Sequence, residues 1–139
     1  MNNRLVTTLI SVLIATGATS AFADTQTIER ELANGNTLEA KRSVRVNDNG
    51  DTVARRGFRV TDADGNLVRR GHDRVRTTED GARHRKSHRE RVLADGSTVQ
   101  KRSRAQRNTD GQVRRQGQAR RVDANGNVVA RGGKRVRRG

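Results

Sequence analysis

The chain has 139 residues, with 30 Lys plus Arg against 15 Asp plus Glu, a net charge of +15, and no Cys, Pro, Trp or Tyr. Without Cys, neither disulfide stapling nor lipid attachment through a cysteine is available. Strong positive charge predicts anionic partners, and the scarcity of aromatics excludes nucleic-acid readers that stack bases on ring platforms.

Residues 1–23 read as a secretory signal peptide with a short helical apolar segment. Arg4 supplies positive charge, Leu5 to Ile14 is mostly apolar, and Ala21-Phe22-Ala23 is a small-x-small cleavage site. Thr7, Thr8 and Ser11 interrupt an apolar stretch well short of the roughly 20 residues of a spanning helix. The mature domain is therefore expected over residues 24–139, periplasmic or secreted. Cleavage removes Arg4 and no acid, leaving 29 cations against 15 acids; 25 of those cations are Arg. Guanidinium forks pair bidentately with phosphate and carboxylate, which favours phosphate-bearing or uronic-acid polymers over a diffuse charge effect.

Seven Asx-Gly pairs follow, at Asn34-Gly35, Asn49-Gly50, Asp64-Gly65, Asp80-Gly81, Asp95-Gly96, Asp110-Gly111 and Asn125-Gly126, at intervals of 15, 15, 16, 15, 15 and 15. Asx-Gly is a strong hairpin signal, because Gly accepts positive φ and the Asx side chain hydrogen-bonds its own turn. The regular spacing predicts tandem units of about 15 residues, one strand each. The fold class is all-β: an antiparallel meander of eight strands, about 26–32, 36–47, 51–62, 66–78, 82–93, 97–108, 112–123 and 127–138. It is expected as a single twisted sheet or a loosely closed barrel. The alternative is intrinsic disorder until a ligand binds, because only 19 of the 116 residues from Asp24 onward are Val, Ile, Leu, Phe or Met.

A two-residue turn would set Val46 against Val53 and Phe58 against Lys41. A three-residue loop such as Asp48-Asn49-Gly50, with Gly in the left-handed position, instead matches Val44 to Ala54, Ala40 to Phe58 and Leu38 to Val60. The same rule sets Val60 against Val68, Val68 against Val92, Leu67 against Leu93, Arg70 against Glu90 and Val122 against Val128.

Strand side chains alternate between faces, so odd and even numbers are expected to mark the two surfaces throughout. The even face carries Ile28, Leu32, Leu38, Val44, Val46, Phe58 and Val60, then decays to Gln and Arg. The odd face carries a column of small residues, Gly57, Gly71, Ser87, Ser103, Gly117 and Gly133. It also carries the candidate polyanion-binding ladder: Arg55, Arg59, Arg69, Arg91, Arg115, Arg121, Arg131 and Arg135. Arg59 opposite Arg69 and Arg69 opposite Arg91 would be like-charge pairs that a bound polyanion relieves.

Other chemistry is thinly represented. His72 and His88 are expected to face each other with His84 nearby, but no third ligand of a metal-binding type accompanies the pair. Asp62-Ala63-Asp64-Gly65-Asn66 departs from a calcium loop, since Val60 and Gly71 stand at the first and twelfth positions. The segment from Asp62 to Arg70, DADGNLVRR, resembles the turn portion of the YD repeats of bacterial secreted toxins and cell-wall proteins, without their tyrosines. No nucleophile triad, Walker loop or dinucleotide loop occurs, and neither an enzyme nor a cofactor is expected. Arg on both faces of most strands also argues against an outer-membrane barrel, at roughly 2–4 kcal/mol per Arg at the bilayer midplane.

The expected function is therefore an exported, non-enzymatic protein that binds anionic polymers through arginine ladders. Lipopolysaccharide phosphates, acidic polysaccharide and the nucleic-acid backbone, read independently of sequence, are the candidate partners. The alternative is a structural or self-assembling envelope or matrix protein that associates through its sheet edges.

Overall fold

The computed structural model describes residues 24–138; the expected signal segment lies outside them. Eight strands follow in chain order: β1 (Asp24–Glu31), β2 (Thr37–Val46), β3 (Thr52–Thr61), β4 (Leu67–Thr77), β5 (Arg83–Val92), β6 (Thr98–Arg107), β7 (Val113–Val122) and β8 (Val128–Arg138). They form one antiparallel sheet in the order β1 to β8, a repeat-like meander in which each strand touches only its sequence neighbours. β1 and β8 do not pair, so the sheet is open; the loosely closed barrel is corrected to a single layer whose two edges are free among the described residues.

The seven loops share one construction. In the loop after β2, Asn47 N donates to Asp51 O at 2.8 Å and Gly50 N donates to Asn47 O at 2.9 Å, enclosing Asp48, Asn49 and Gly50. The other six repeat both bonds, and every loop glycine has positive φ, from 74° at Gly96 to 89° at Gly126. This is the left-handed position that an L side chain occupies only at a cost. Asx side chains reinforce it: Asp62 Oδ1 accepts from Asn66 N at 2.8 Å and from Asp64 N at 3.1 Å, and Asp123 does the same for Asn127 and Asn125. Turn chemistry, rather than core burial, dictates where the chain reverses.

The three-residue loop sets the expected register between β2 and β3, with Val44 on Ala54, Ala40 on Phe58 and Leu38 on Val60. Between β4 and β5, Arg69 meets Arg91, Arg70 meets Glu90 and His72 meets His88. Two bulges break the rule elsewhere. Thr61 pairs with Leu67 but Val60 pairs with Arg69, leaving Val68 as an extra residue; likewise Val122 pairs with Val128 but Arg121 pairs with Ala130, leaving Val129 extra. Val60 therefore does not face Val68, and Arg59 faces Arg70 rather than Arg69. The β4–β5 ladder begins at Arg69 and Arg91, without the expected Val68–Val92 and Leu67–Leu93 pairs.

An inserted residue exchanges the faces of everything after it in that strand. One face, here called the phenylalanine face, thus takes even positions in β1 to β3, odd positions from β4 beyond its bulge through β7, and even positions in β8 beyond its bulge. The other face takes the remainder. Burial is sparse: Val60 on the phenylalanine face is 1% exposed and Val53 on the opposite face is 5% exposed. No second layer covers either surface among the described residues, so backbone ladders, loop geometry and a few side-chain clusters hold the sheet.

Candidate polyanion-binding face

On the phenylalanine face, Phe58 sits opposite Gly71, and the glycine makes room for the ring. A Cβ on Gly71 would lie 2.8 Å from Phe58 Cε1 and 2.7 Å from Arg89 Cδ. Arg89 and Arg69 stack over the ring, with guanidinium carbons 5.3 and 6.0 Å from its centroid. Arg89 also donates to Asp73 Oδ2 at 2.7 Å, and Arg85 lies 3.5 Å from the same oxygen. Burial works to raise the Asp73 carboxyl, but the bonds from Arg89 and Ser87 and the charges of Arg89 and Arg85 outweigh it, holding the group below the ordinary carboxylate value. Phe58, the only Phe, Trp or Tyr beyond Asp24, is thus occupied in a cation–π cluster that locks β3 to β5.

Two further clusters tie a loop to neighbouring parts of the sheet, one at each end. Asp51, 3% exposed, ends the β2–β3 loop and accepts from Arg76 Nε at 2.7 Å, while Glu79 N of the β4–β5 loop donates to its other oxygen at 3.3 Å. The bond from Arg76, with that charge and the Glu79 amide, holds the Asp51 carboxyl below its usual value. At the opposite end, Asp95 Oδ1 accepts from Ser97 Oγ at 2.5 Å and from Ser97 N at 3.0 Å, and Arg121 bonds both residues. Ser97 first, with Arg121 assisting, depresses Asp95.

The candidate ladder is accordingly split. Arg55, Arg59, Arg131 and Arg135 lie on the face opposite Phe58, whereas Arg69, Arg91, Arg115 and Arg121 lie on the phenylalanine face. The small-residue column divides as well: Gly57 and Gly133 stand on one surface, and Gly71, Ser87, Ser103 and Gly117 on the other. Arg69 is committed to Phe58 and Arg121 to Asp95 and Ser97.

Parity alone misassigned the side chains from β4 beyond its bulge through β7. Two adjoining depressions, of about 480 and 510 Å³, open on the face opposite Phe58 over β4 to β8 and share Arg102 and Gln118. Lys86, Arg102, Arg104, Arg120 and Arg131 contribute the charge, and no acid lines either depression. The cations alternate with amides across the strands: Arg102 faces Gln118, Arg104 faces Gln116, and Arg120 faces Gln100. A chain of contacts borders this trough, from Arg70 to Glu90 at 3.1 Å, from Gln100 to Glu90 at 3.5 Å and from Arg120 Nε to Gln100 Oε1 at 2.8 Å. The missed signal was the D-A-x-G-N loop shared by Asp62–Asn66 and Asp123–Asn127, each followed by two adjacent apolar residues and a bulge.

His72 and His88 meet as expected, stacked with centroids 5.3 Å apart and planes 18° from parallel. Burial, then the charge of Arg102 and the neighbouring His72, pushes His88 below 6.5. Among the described residues no group of three or more His, Cys, Asp or Glu is arranged to hold a metal ion, and no helix is long and apolar enough to cross a membrane.

Compared with protein-family profiles, curated proteins and solved structures, the chain matches none.

Proposed function

We propose that this chain is an exported, non-enzymatic protein that binds anionic polymers, with the trough over β4 to β8 as the binding surface. The observation that carries the reading is a depression lined by Lys86, Arg102, Arg104, Arg120 and Arg131 with no acid among its lining residues. Fixed like charges on one rigid sheet repel each other, and a polyanion relieves that repulsion while releasing its own counterions. Solubility alone would be served by interspersed charges of both signs. Candidate ligands remain lipopolysaccharide phosphates, acidic polysaccharide and extracellular DNA. The amides between the cations suit hydroxyl-bearing polymers as well as phosphate backbones, because they both donate and accept.

Salt titration of binding tests this. With duplex DNA as probe, log K should fall linearly with log salt at a slope of about −0.9 per phosphate neutralised, for any base sequence. Replacing Arg102, Arg104, Arg120 and Arg131 with Gln should make that slope shallower by about 3.6 if each neutralises one phosphate. The same change at Arg91, Lys101, Arg107 and Arg115, on the phenylalanine face and outside every ion pair among the described residues, should matter far less. Equal losses from both sets would reduce the effect to net charge and end the trough reading.

A further inference from the structure

The two free edges of the sheet differ in sign. β1 carries Asp24, Glu29 and Glu31 against Arg30, whereas β8 carries Arg131, Lys134, Arg135, Arg137 and Arg138 and no acid. Among the described residues, three of the four large apolar side chains left exposed also lie on these edges: Ile28 at 57%, Val129 at 57% and Val128 at 38%. An open edge is a row of unpaired backbone donors and acceptors, a template for another strand. We propose that β8 of one molecule pairs antiparallel with β1 of a second copy, head to tail, continuing the meander across molecules.

Charge selects this arrangement over the symmetric ones. Edge β8 against β8 would oppose cations, and β1 against β1 would oppose acids, while β8 against β1 joins opposite signs. The chain's own spacing supplies a register. Extending the loop interval past β8, with the extra residue of its bulge counted, sets Arg131 opposite Glu29 and Gly132 opposite Ile28 of the next copy. Both pairs keep their faces continuous. A Cβ on Gly132 would meet nothing within 4 Å, so that glycine leaves room for Ile28, as Gly71 leaves room for Phe58 inside the sheet. Such a contact joins two different surfaces, so it generates open chains or rings rather than closed dimers.

Cysteine pairing is a clean probe because the protein has none of its own. Glu29→Cys protein mixed with Arg131→Cys protein, both processed by their host and then mildly oxidised, should give mixed dimers in excess of either homodimer. The double variant should give a ladder of covalent multimers. A double variant that forms only an intramolecular disulfide would overturn the proposal in favour of closure of the chain on itself. So would homodimers in preference to mixed ones. By light scattering, Arg131→Glu should weaken association about tenfold, and adding Glu29→Arg should restore it. Restoration separates edge pairing from a folding defect; its absence with the sheet intact by circular dichroism would refute the proposed pairing. Assembly only on addition of heparin would place the contact in the polyanion rather than in the edges, and would also overturn it.

Discussion

Strands β1 to β3 and β6 to β8 follow one backbone plan with opposite side-chain economies. The first three hold Ile28, Leu38, Val44, Val46, Val53, Phe58 and Val60, and Asp24, Glu29, Glu31 and Glu39 stand among their cations. The last three hold four, four and five cations and not one acid. Their acidic neighbours are confined to loops, at Asp95, Asp110 and Asp123. Identical loop bonds at both ends of the molecule mean that the reversal of the chain does not depend on what the strands bury. Once turns and ladders carry the architecture, strand side chains are free to specialise: the N-terminal strands supply the few buried contacts, and the C-terminal strands supply an electropositive surface.

The sharpest way to break that comparison uses two glycines at similar mid-strand positions. Gly71→Val should destabilise the sheet by about 3 kcal/mol, since the added carbons run into Phe58 and Arg89. Gly117→Val, where a Cβ would meet nothing within 4 Å, should change stability by less than about 1 kcal/mol, because β-branching suits a strand. Denaturant midpoints decide. Equal losses would mean that the C-terminal strands are as tightly packed as the central ones.

The loop clips offer a second contrast, read through pH. Asp51 is depressed below 3.8 in the folded chain, so its contribution is complete above the ordinary carboxylate range, about 4, and disappears as pH falls through the folded value. Asp51→Asn should lower Tm at pH 7, and the gap to the parent should close in acid. Asp95→Asn should follow the same sign with a smaller gap, because Asp51 is buried while the Asp95 carboxylate is half exposed. A gap that stays constant from pH 7 to pH 2 would remove the carboxylate charge as the cause.

Amide hydrogen exchange extends the contrast to dynamics. The ion pairs and the cation–π cluster centre on β3 to β5, and no side chain of β6 or β8 joins an ion pair among the described residues. Amides of β7 and β8 should therefore exchange faster than those of β4, and a polyanion in the trough should slow them selectively. Uniform exchange along the sheet, unchanged by heparin, would contradict both the weak end and its proposed ligand.

The loops and most registers were legible because Asx-Gly chemistry is local: Asn49-Gly50 or Asp80-Gly81 fixes a reversal without reference to the rest of the chain. The faces were not fully legible, because a face depends on counting every residue since the last reversal. The 16-residue step from Asp64 to Asp80 did record the extra residue in β4. β8 has no later Asx-Gly pair to give a matching interval, so Val129 left no trace in the spacing. Arg121 was misassigned for a related reason. Its commitment to Asp95 and Ser97 links residues 24 to 26 positions apart, and such a contact follows only from which face and which end of the sheet each occupies.

The smallest expected effect tests the bulge itself. Val129 is exposed and unpaired in the β7–β8 ladder, whose pairs are Val122 with Val128 on one side and Arg121 with Ala130 on the other. Deleting it leaves Val128 and Ala130 consecutive, able to meet Val122 and Arg121 in an unbroken ladder, so Arg131 and Arg135 keep their face. Stability should change by less than about 1 kcal/mol, within the range of surface alterations that remove no buried contact, and the salt slope for DNA should be unchanged. Deleting Val68 should cost more, because its neighbours Val60 and Arg69 lie beside the Phe58 cluster. If removing Val129 instead abolishes polyanion binding while the sheet persists, the bulge sets the twist or face of the last strand, and the difference between the two ends of the molecule would rest on backbone shape as well as on charge.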